Sequence, residues 1–148
     1  MSFWTPKLFL DTSAFFAGLY SSIGGAHALL QLGEKGDLHL VVSSDVLREL
    51  EAVMRRKLPE KLDRMLVALD TTIAHIEPTP ASSFIKPLLP LVDYHNDALV
   101  LAAALAAQVD FFVTLDRQHF PHNDPLRSAL PFPIGTPGNC LAWHRQQI

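Results

Sequence analysis

Four carboxylates stand where they could do chemistry together: Asp11, Glu49, Asp97 and Asp116. Asp11 and Asp116 each close an apolar run, in "LFLD" and "FFVTLD". Asp97 heads an Ala-rich stretch, "HNDALVLAAALAAQ", and Glu49 lies inside "SSDVLRELEAVMRRK". Singly, each acid has a plainer role. Asp11 can turn the chain or help cap the next helix, Asp116 can start a turn, Asp97 can complement a helix dipole for roughly 0.3–1 kcal/mol, and Glu49 can be a solvated helix residue. Together they imply a cation. Two carboxylates ~4 Å apart at an effective dielectric of about 20 repel by on the order of 4 kcal/mol, and a cluster persists by raising a pKa or binding a metal. Oxygen donors without a companion His/Cys set suit Mg²⁺ or Mn²⁺, which activate water and stabilise charge on a transferring phosphoryl group.

The elements that must position these acids alternate. Residues 7–10 read as a buried strand, 12–20 and 25–34 as helices broken by "SSIGG", and "LHLVVS" (38–43) as a second strand. Residues 43–57 open with N-cap residues and end on three basic ones, both favouring a helix. Pro59 starts another, over 60–70, and 72–77 reads as a third strand. "PTPASSFIKPLLP" (78–90), with four prolines in 13 residues, reads as a loop inside one domain spanning 1–148. A helix over 95–108 capped by Asn96, a strand over 110–116, a short strand within 132–137 and a helix over 138–146 complete the chain. Strands alternating with helices imply a parallel sheet covered on both faces, with its site outside the carboxyl ends of the strands, where Asp11 and Asp116 fall. In the 43–57 helix, Val46, Leu47, Leu50, Val53 and Met54 form the apolar stripe. Glu49 and Glu51 flank that stripe, each about 100° from its centre, so periodicity leaves both open.

Composition narrows the class. The chain has 148 residues, 49% of them hydrophobic and 18% charged, which predicts a compact core and excludes disorder. A net charge of −3 does not mark a general nucleic-acid binder. The one cysteine, Cys140, rules out an internal disulfide and reads as a small buried hydrophobe. The start lacks the pattern of a signal peptide, and the longest apolar stretch, 98–109, is too short to span a bilayer. A soluble, cytoplasmic protein with no membrane partner is expected.

"LFLDTSAFF", "VVSSDVLRELEAVMRRK", "NDALVLAAALAAQVDFFVTLD" and "RQHF", in this order and at this spacing, resemble the PIN domain family, and within it the small bacterial proteins that include VapC-type toxins. The resemblance covers most of the chain. It implies a three-layer α/β/α Rossmann-like fold around a parallel sheet of about five strands. It also implies a metal-dependent endoribonuclease that hydrolyses RNA phosphodiesters with a metal-activated water, using Mg²⁺ or Mn²⁺. The catalytic and metal-binding acids carry over to Asp11, Glu49, Asp97 and Asp116. The Glu-Leu pair after the second strand matches Glu49, which selects it over Glu51. Thr12, Ser13 and Thr114 match the family's supporting polar positions. Leu115 departs from the small residue often found before the last acid, and Arg117-Gln118 from the acid or Asn sometimes found after it. Arg55, Arg56, Lys57, Lys86, Arg117 and His119 are candidates for gripping RNA. A cognate antitoxin and a homodimer are the implied protein partners, with Phe15, Phe16 and Leu19 as candidate dimer surface or core.

Other chemistries find less support. His119 and His122 are spaced H-x-x-H but have no HExxH helix or Cys partner for zinc. No Gly-rich phosphate loop is present, and Ser13 lacks a nucleophile elbow. A phosphatase with Asp11 as nucleophile would want a second Asp at position 13, where Ser13 stands. A PIN-like module that binds RNA or protein without cleaving it is the remaining alternative.

Overall fold

The computed structural model describes residues 4–116, 120 and 124–147. Five strands, β1 (Lys7–Leu10), β2 (His39–Ser43), β3 (Ile73–Glu77), β4 (Phe111–Val113) and β5 (Ile134–Gly135), form one sheet in the order β3-β2-β1-β4-β5. Every pairing is parallel, with Leu8 aligned to Leu40 on one side and Phe111 on the other. Helices α1 (Thr12–Tyr20), α2 (Gly25–Lys35), α3 (Ser44–Lys57) and α4 (Leu62–Thr72) pack on one another, and α8 (Pro137–Gln147) packs on α2. Short α5 (Ser82–Ile85), the long α6 (His95–Ala107) and α7 (Asp124–Ala129) lie along the return path from β3 to β5. This is the expected α/β architecture.

The central strands explain their own composition. Leu8, Phe9 and Leu10 are at most 2% exposed because both faces of β1 are covered, so the strand is a continuous apolar run rather than an alternating one. Phe9 stacks on Phe112 of β4 at 5.3 Å between ring centres. In α6, alanines 98, 102, 103 and 104 are fully buried. Alanine is the best helix former and its short side chain lets the helix lie close against its neighbours. Helix α2 comes closer still at Gly33, where a Cβ would sit 2.5 Å from Leu40 Cδ1 and 2.9 Å from the Thr72 carbonyl oxygen.

Helix ends follow their capping chemistry. Ser43 accepts a bond from the Val46 N–H at 3.1 Å and starts α3, as its sequence suggests. Val46, Leu50 and Met54 are buried in α3, with Leu47 and Val53 half-buried beside them. Phe15 and Leu19 enter the core, and Phe16 packs against it. Cys140 is buried as expected, and burial pushes its thiol up to about 12.

Four expectations are corrected. The proline-rich segment 78–90 is not a plain loop: it holds α5 and a 3₁₀ segment, Lys86–Leu91, with Pro87 near its start, where a missing N–H costs nothing. Asn96 does not cap α6; Tyr94 is the capping residue, with no side-chain cap bond, and Asn96 instead reaches Glu49. Strand β4 ends at Val113, three residues before Asp116, because Thr114 turns its hydroxyl toward the first strand. Helix α7 falls where no element is expected. Among the described residues, no helix is long and apolar enough to cross a membrane.

The two sheet edges differ. Strand β5 is two residues long and bracketed by Pro133 and Pro137. Strand β3 is five residues long, contains no proline, and exposes Ala74, His75 and Ile76.

Candidate active site

From β1 the chain builds outward to β2 and β3, then returns to place β4 on the opposite side of β1. The order reverses between β1 and β4, and α/β sheets bind ligands outside the strand ends at such a point. Leu10 aligns with Val113, and the Asp11 N–H donates to the Val113 carbonyl at 3.1 Å. The next residues on each strand, Asp11 and Thr114 to Asp116, therefore emerge side by side.

Two hydroxyls tie these strand ends together. Ser13 donates its O–H to Asp11 Oδ1 at 2.6 Å and accepts from the Leu115 N–H at 3.0 Å. Thr114 donates to Asp11 Oδ2 at 2.6 Å and accepts from the Asp116 N–H at 2.9 Å. The two hydroxyl oxygens are 3.5 Å apart. The Ala14 N–H completes the set by donating to Asp11 Oδ1 at 3.2 Å. Asp11 thus caps α1 and faces the site at once, so its plainer role and its chemical one coexist. Burial raises the Asp11 pKa above its ordinary 3.8, while the bonds from Ser13, Thr114 and Ala14 oppose that rise. The carboxylate is held rigidly in a place that resists its charge.

Asp11, Thr12, Ser13, Glu49, Asp97, Val100, Asp116 and Phe120 line one cleft of about 210 Å³. All four predicted acids line it, with Glu49 there rather than Glu51. Glu51 turns away to pair with Arg55 at 2.8 Å, four residues on. Glu49 is exposed and accepts a bond from the Asn96 amide at 3.3 Å. Asp97 sits in the first turn of α6, its N–H bonded to the Tyr94 carbonyl at 3.1 Å. Val100 and the buried Phe120 supply an apolar wall; Phe120 in turn packs edge-on against Phe112. Sequence reasoning missed Asn96, Val100 and Phe120 as site residues. Val100 was findable, since it lies one helical turn after Asp97 and must share its face.

Among the described residues, the basic candidates do not gather at the cleft. Arg55, Arg56 and Lys57 are exposed but lie about 9–12 Å farther along α3 than Glu49, at 1.5 Å per residue. Lys86 is exposed on the 3₁₀ segment. Arg117, His119 and His122 lie outside the described residues. The donor chemistry of the cleft is all oxygen, which suits a hard cation. Among the described residues, no three Asp, Glu, His or Cys side chains converge closely enough to form a ready chelate.

A family model described as PIN domain matches residues 7–118. The chain belongs to the PIN domain family. The match runs through β1, α3, α6 and β4, the elements that carry or lead into the four acids of this PIN domain. Among solved structures, VapBC2 from Rickettsia felis, bound to a DNA fragment from their promoter, is similar at TM-score 0.63 and 19% identity, covering 87% of this chain and 96% of that one. VapC20 from Mycobacterium tuberculosis, a sarcin-ricin loop cleaving toxin, is similar at TM-score 0.54 and 19% identity, covering 75% and 91%. At that identity the likeness speaks for the shared PIN fold. A comparison with curated protein sequences gives no match.

Proposed function

We propose that this PIN domain is a metal-dependent endoribonuclease that acts in the cytoplasm as the toxin of a toxin–antitoxin pair. The observation that carries the proposal is the convergence of Asp11, Glu49, Asp97 and Asp116 on one cleft at the switch point, with both Asp11 oxygens held by hydroxyls. The similar fold of a sarcin-ricin loop cleaving toxin supports RNA as the substrate class. The similar fold found in the VapBC2 structure supports a cognate antitoxin.

Asp11, Asp97 and Asp116, with Glu49, would hold Mg²⁺ or Mn²⁺; when bound, the ion supplies Lewis acidity for phosphodiester hydrolysis. The chain's own groups divide the remaining work. Ser13 and Thr114 keep the Asp11 carboxylate oriented and share its charge. Glu49 is the most exposed of the acids and lines the cleft beside them, where it would accept a proton from the attacking water. Val100 and Phe120 keep one wall of the cleft dry, which strengthens the electrostatics inside it. Thr12, at the first position of α1, adds a hydroxyl on the phosphate side, and the helix start favours an anion there.

The test is cleavage of single-stranded RNA by purified wild type, Asp11→Asn, Glu49→Gln and Glu51→Gln, with chelator or with added Mg²⁺ or Mn²⁺. Wild type should cut only with the ion. Asp11→Asn and Glu49→Gln should lose activity by about a hundredfold or more, as loss of groups that hold or orient a metal does. Glu51→Gln should keep it. Cleavage by folded Asp11→Asn at the wild-type rate would refute the assignment, and an inert wild type would favour a binding module.

A further inference from the structure

Asn96 caps nothing in its own helix. The capping residue of α6 is Tyr94, with extended backbone at φ −124° and ψ 136°, and no side chain bonds that helix end. Asn96 therefore lies inside the first turn, where asparagine is a weaker helix former than alanine. Its side chain is exposed, so core packing does not call for it either. What its amide does is reach another helix: it donates to Glu49 Oε2 on α3 at 3.3 Å, across 47 positions of sequence. An ionised carboxylate only accepts, so the amide faces it with its NH₂ group. Among the described residues, Glu49 makes no other hydrogen bond or ion pair.

We infer that Asn96 is the positioning residue of Glu49, holding Oε2 and leaving Oε1 for the attacking water. The inference rests on the nuclease reading of the cleft. The chain treats two of its acids alike in different settings. Buried Asp11 is held by the hydroxyls of Ser13 and Thr114, and exposed Glu49 by the amide of Asn96. Each of these donors is neutral. A lysine or arginine would grip Glu49 harder, but it would cancel charge that the acidic cleft presents to a cation. Adjacent residues of a helix project about 100° apart. The start of α6 can therefore send Asp97 into the cleft and Asn96 across to α3. A glutamate in solvent samples many rotamers, and a bond from a rigid helix narrows them before substrate arrives. Water competes for so exposed a hydrogen bond, so it adds little to stability. Its effect is on orientation, which separates a positioning role from a structural one.

The test is single-turnover cleavage of an end-labelled single-stranded RNA by the full chain with Mg²⁺ or Mn²⁺. Asn96→Ala should lower the maximal rate about tenfold, the loss expected when a group that orients a working side chain is removed. Its half-saturating concentration and Tm should match those of wild type, since Asn96 touches neither RNA nor core. Asn96→Gln keeps the amide on a longer stem and should recover part of the rate. In a Glu49→Ala background, Asn96→Ala should cost nothing further, because no carboxylate is left to hold. A second readout needs neither metal nor RNA: the NMR signal of the Asn96 side-chain amide should shift on Glu49→Ala and stay in place on Glu51→Gln. An active wild type indifferent to Asn96→Ala overturns the inference and leaves the nuclease reading standing. So does an undiminished loss in the Glu49→Ala background, a weakened half-saturation or lowered Tm that accounts for the whole effect, or an amide signal unmoved by Glu49→Ala. A wild type that cuts with neither ion overturns both readings.

Discussion

Replacing Thr114 by valine tests the hydroxyl lattice that fixes the site. The exchange keeps shape and β-branching, so the fold has no steric reason to object. Thr114 is 1% exposed, and its hydroxyl both donates to Asp11 Oδ2 and accepts from the Asp116 N–H. Losing the bond to a carboxylate removes about 1.5–3 kcal/mol, and orphaning the Asp116 N–H costs about 1–3 kcal/mol more. The methyl that replaces the hydroxyl returns at most ~1 kcal/mol. A net loss of about 1.5–5 kcal/mol follows, which for a domain of this size is roughly 3–20 °C in Tm. Urea unfolding at pH 7 reads it directly, with Thr114→Ser as the control. Serine preserves both bonds and loses only a methyl, about 1 kcal/mol. All four acids survive in Thr114→Val, yet cleavage should fall with stability corrected for, because Asp11 is no longer aimed. A valine variant within ~0.5 kcal/mol of wild type and as active would refute the idea that the hydroxyls organise the site.

Two further outcomes are expected. Burial raises the Asp11 pKa above 3.8, so the folded chain holds that proton more tightly than the unfolded chain does. Its contribution to stability is full below the unfolded value and is lost as pH rises through the folded one; comparing unfolding of wild type and Asp11→Asn between pH 3 and pH 7 should show wild type losing ground as pH rises. Gly33→Ala should destabilise by about 1–3 kcal/mol despite alanine's better helix propensity, because the new methyl meets Leu40 and the Thr72 carbonyl, and thermal melting checks it.

The sheet and the acids were legible because their signals are local and strong. An apolar run that ends on Asp, as in "LFLD", marks both a buried strand and its exit, and the strand ends are where such folds keep their sites. The resemblance to PIN domains selected Glu49 where helical periodicity left it level with Glu51; in the structure Glu49 lines the cleft and Glu51 pairs with Arg55. What escaped depended on contacts distant in sequence. Asn96 looks like a helix cap, and only the approach of α3 to α6 turns its amide toward Glu49. Strand β4 reads as extended to Asp116, and only the facing Asp11 explains why it stops at Val113. In 78–90 the prolines signal a break, but proline also fits the first turn of a helix, and there it helped begin a 3₁₀ segment. Helix α7 did leave a mark, the Asp124-Pro125 start.

The bond from Thr114 to Asp11 spans 103 positions of sequence. A ribosome adding about 5–20 residues per second needs roughly 5–20 s to travel between them. By the end of that interval Asp11, Glu49 and Asp97 are made, but until β4 follows β1 has no neighbour on its far side. The cleft is therefore among the last features of the chain to exist. A growing polypeptide holds no completed acidic cleft until most of it has been made.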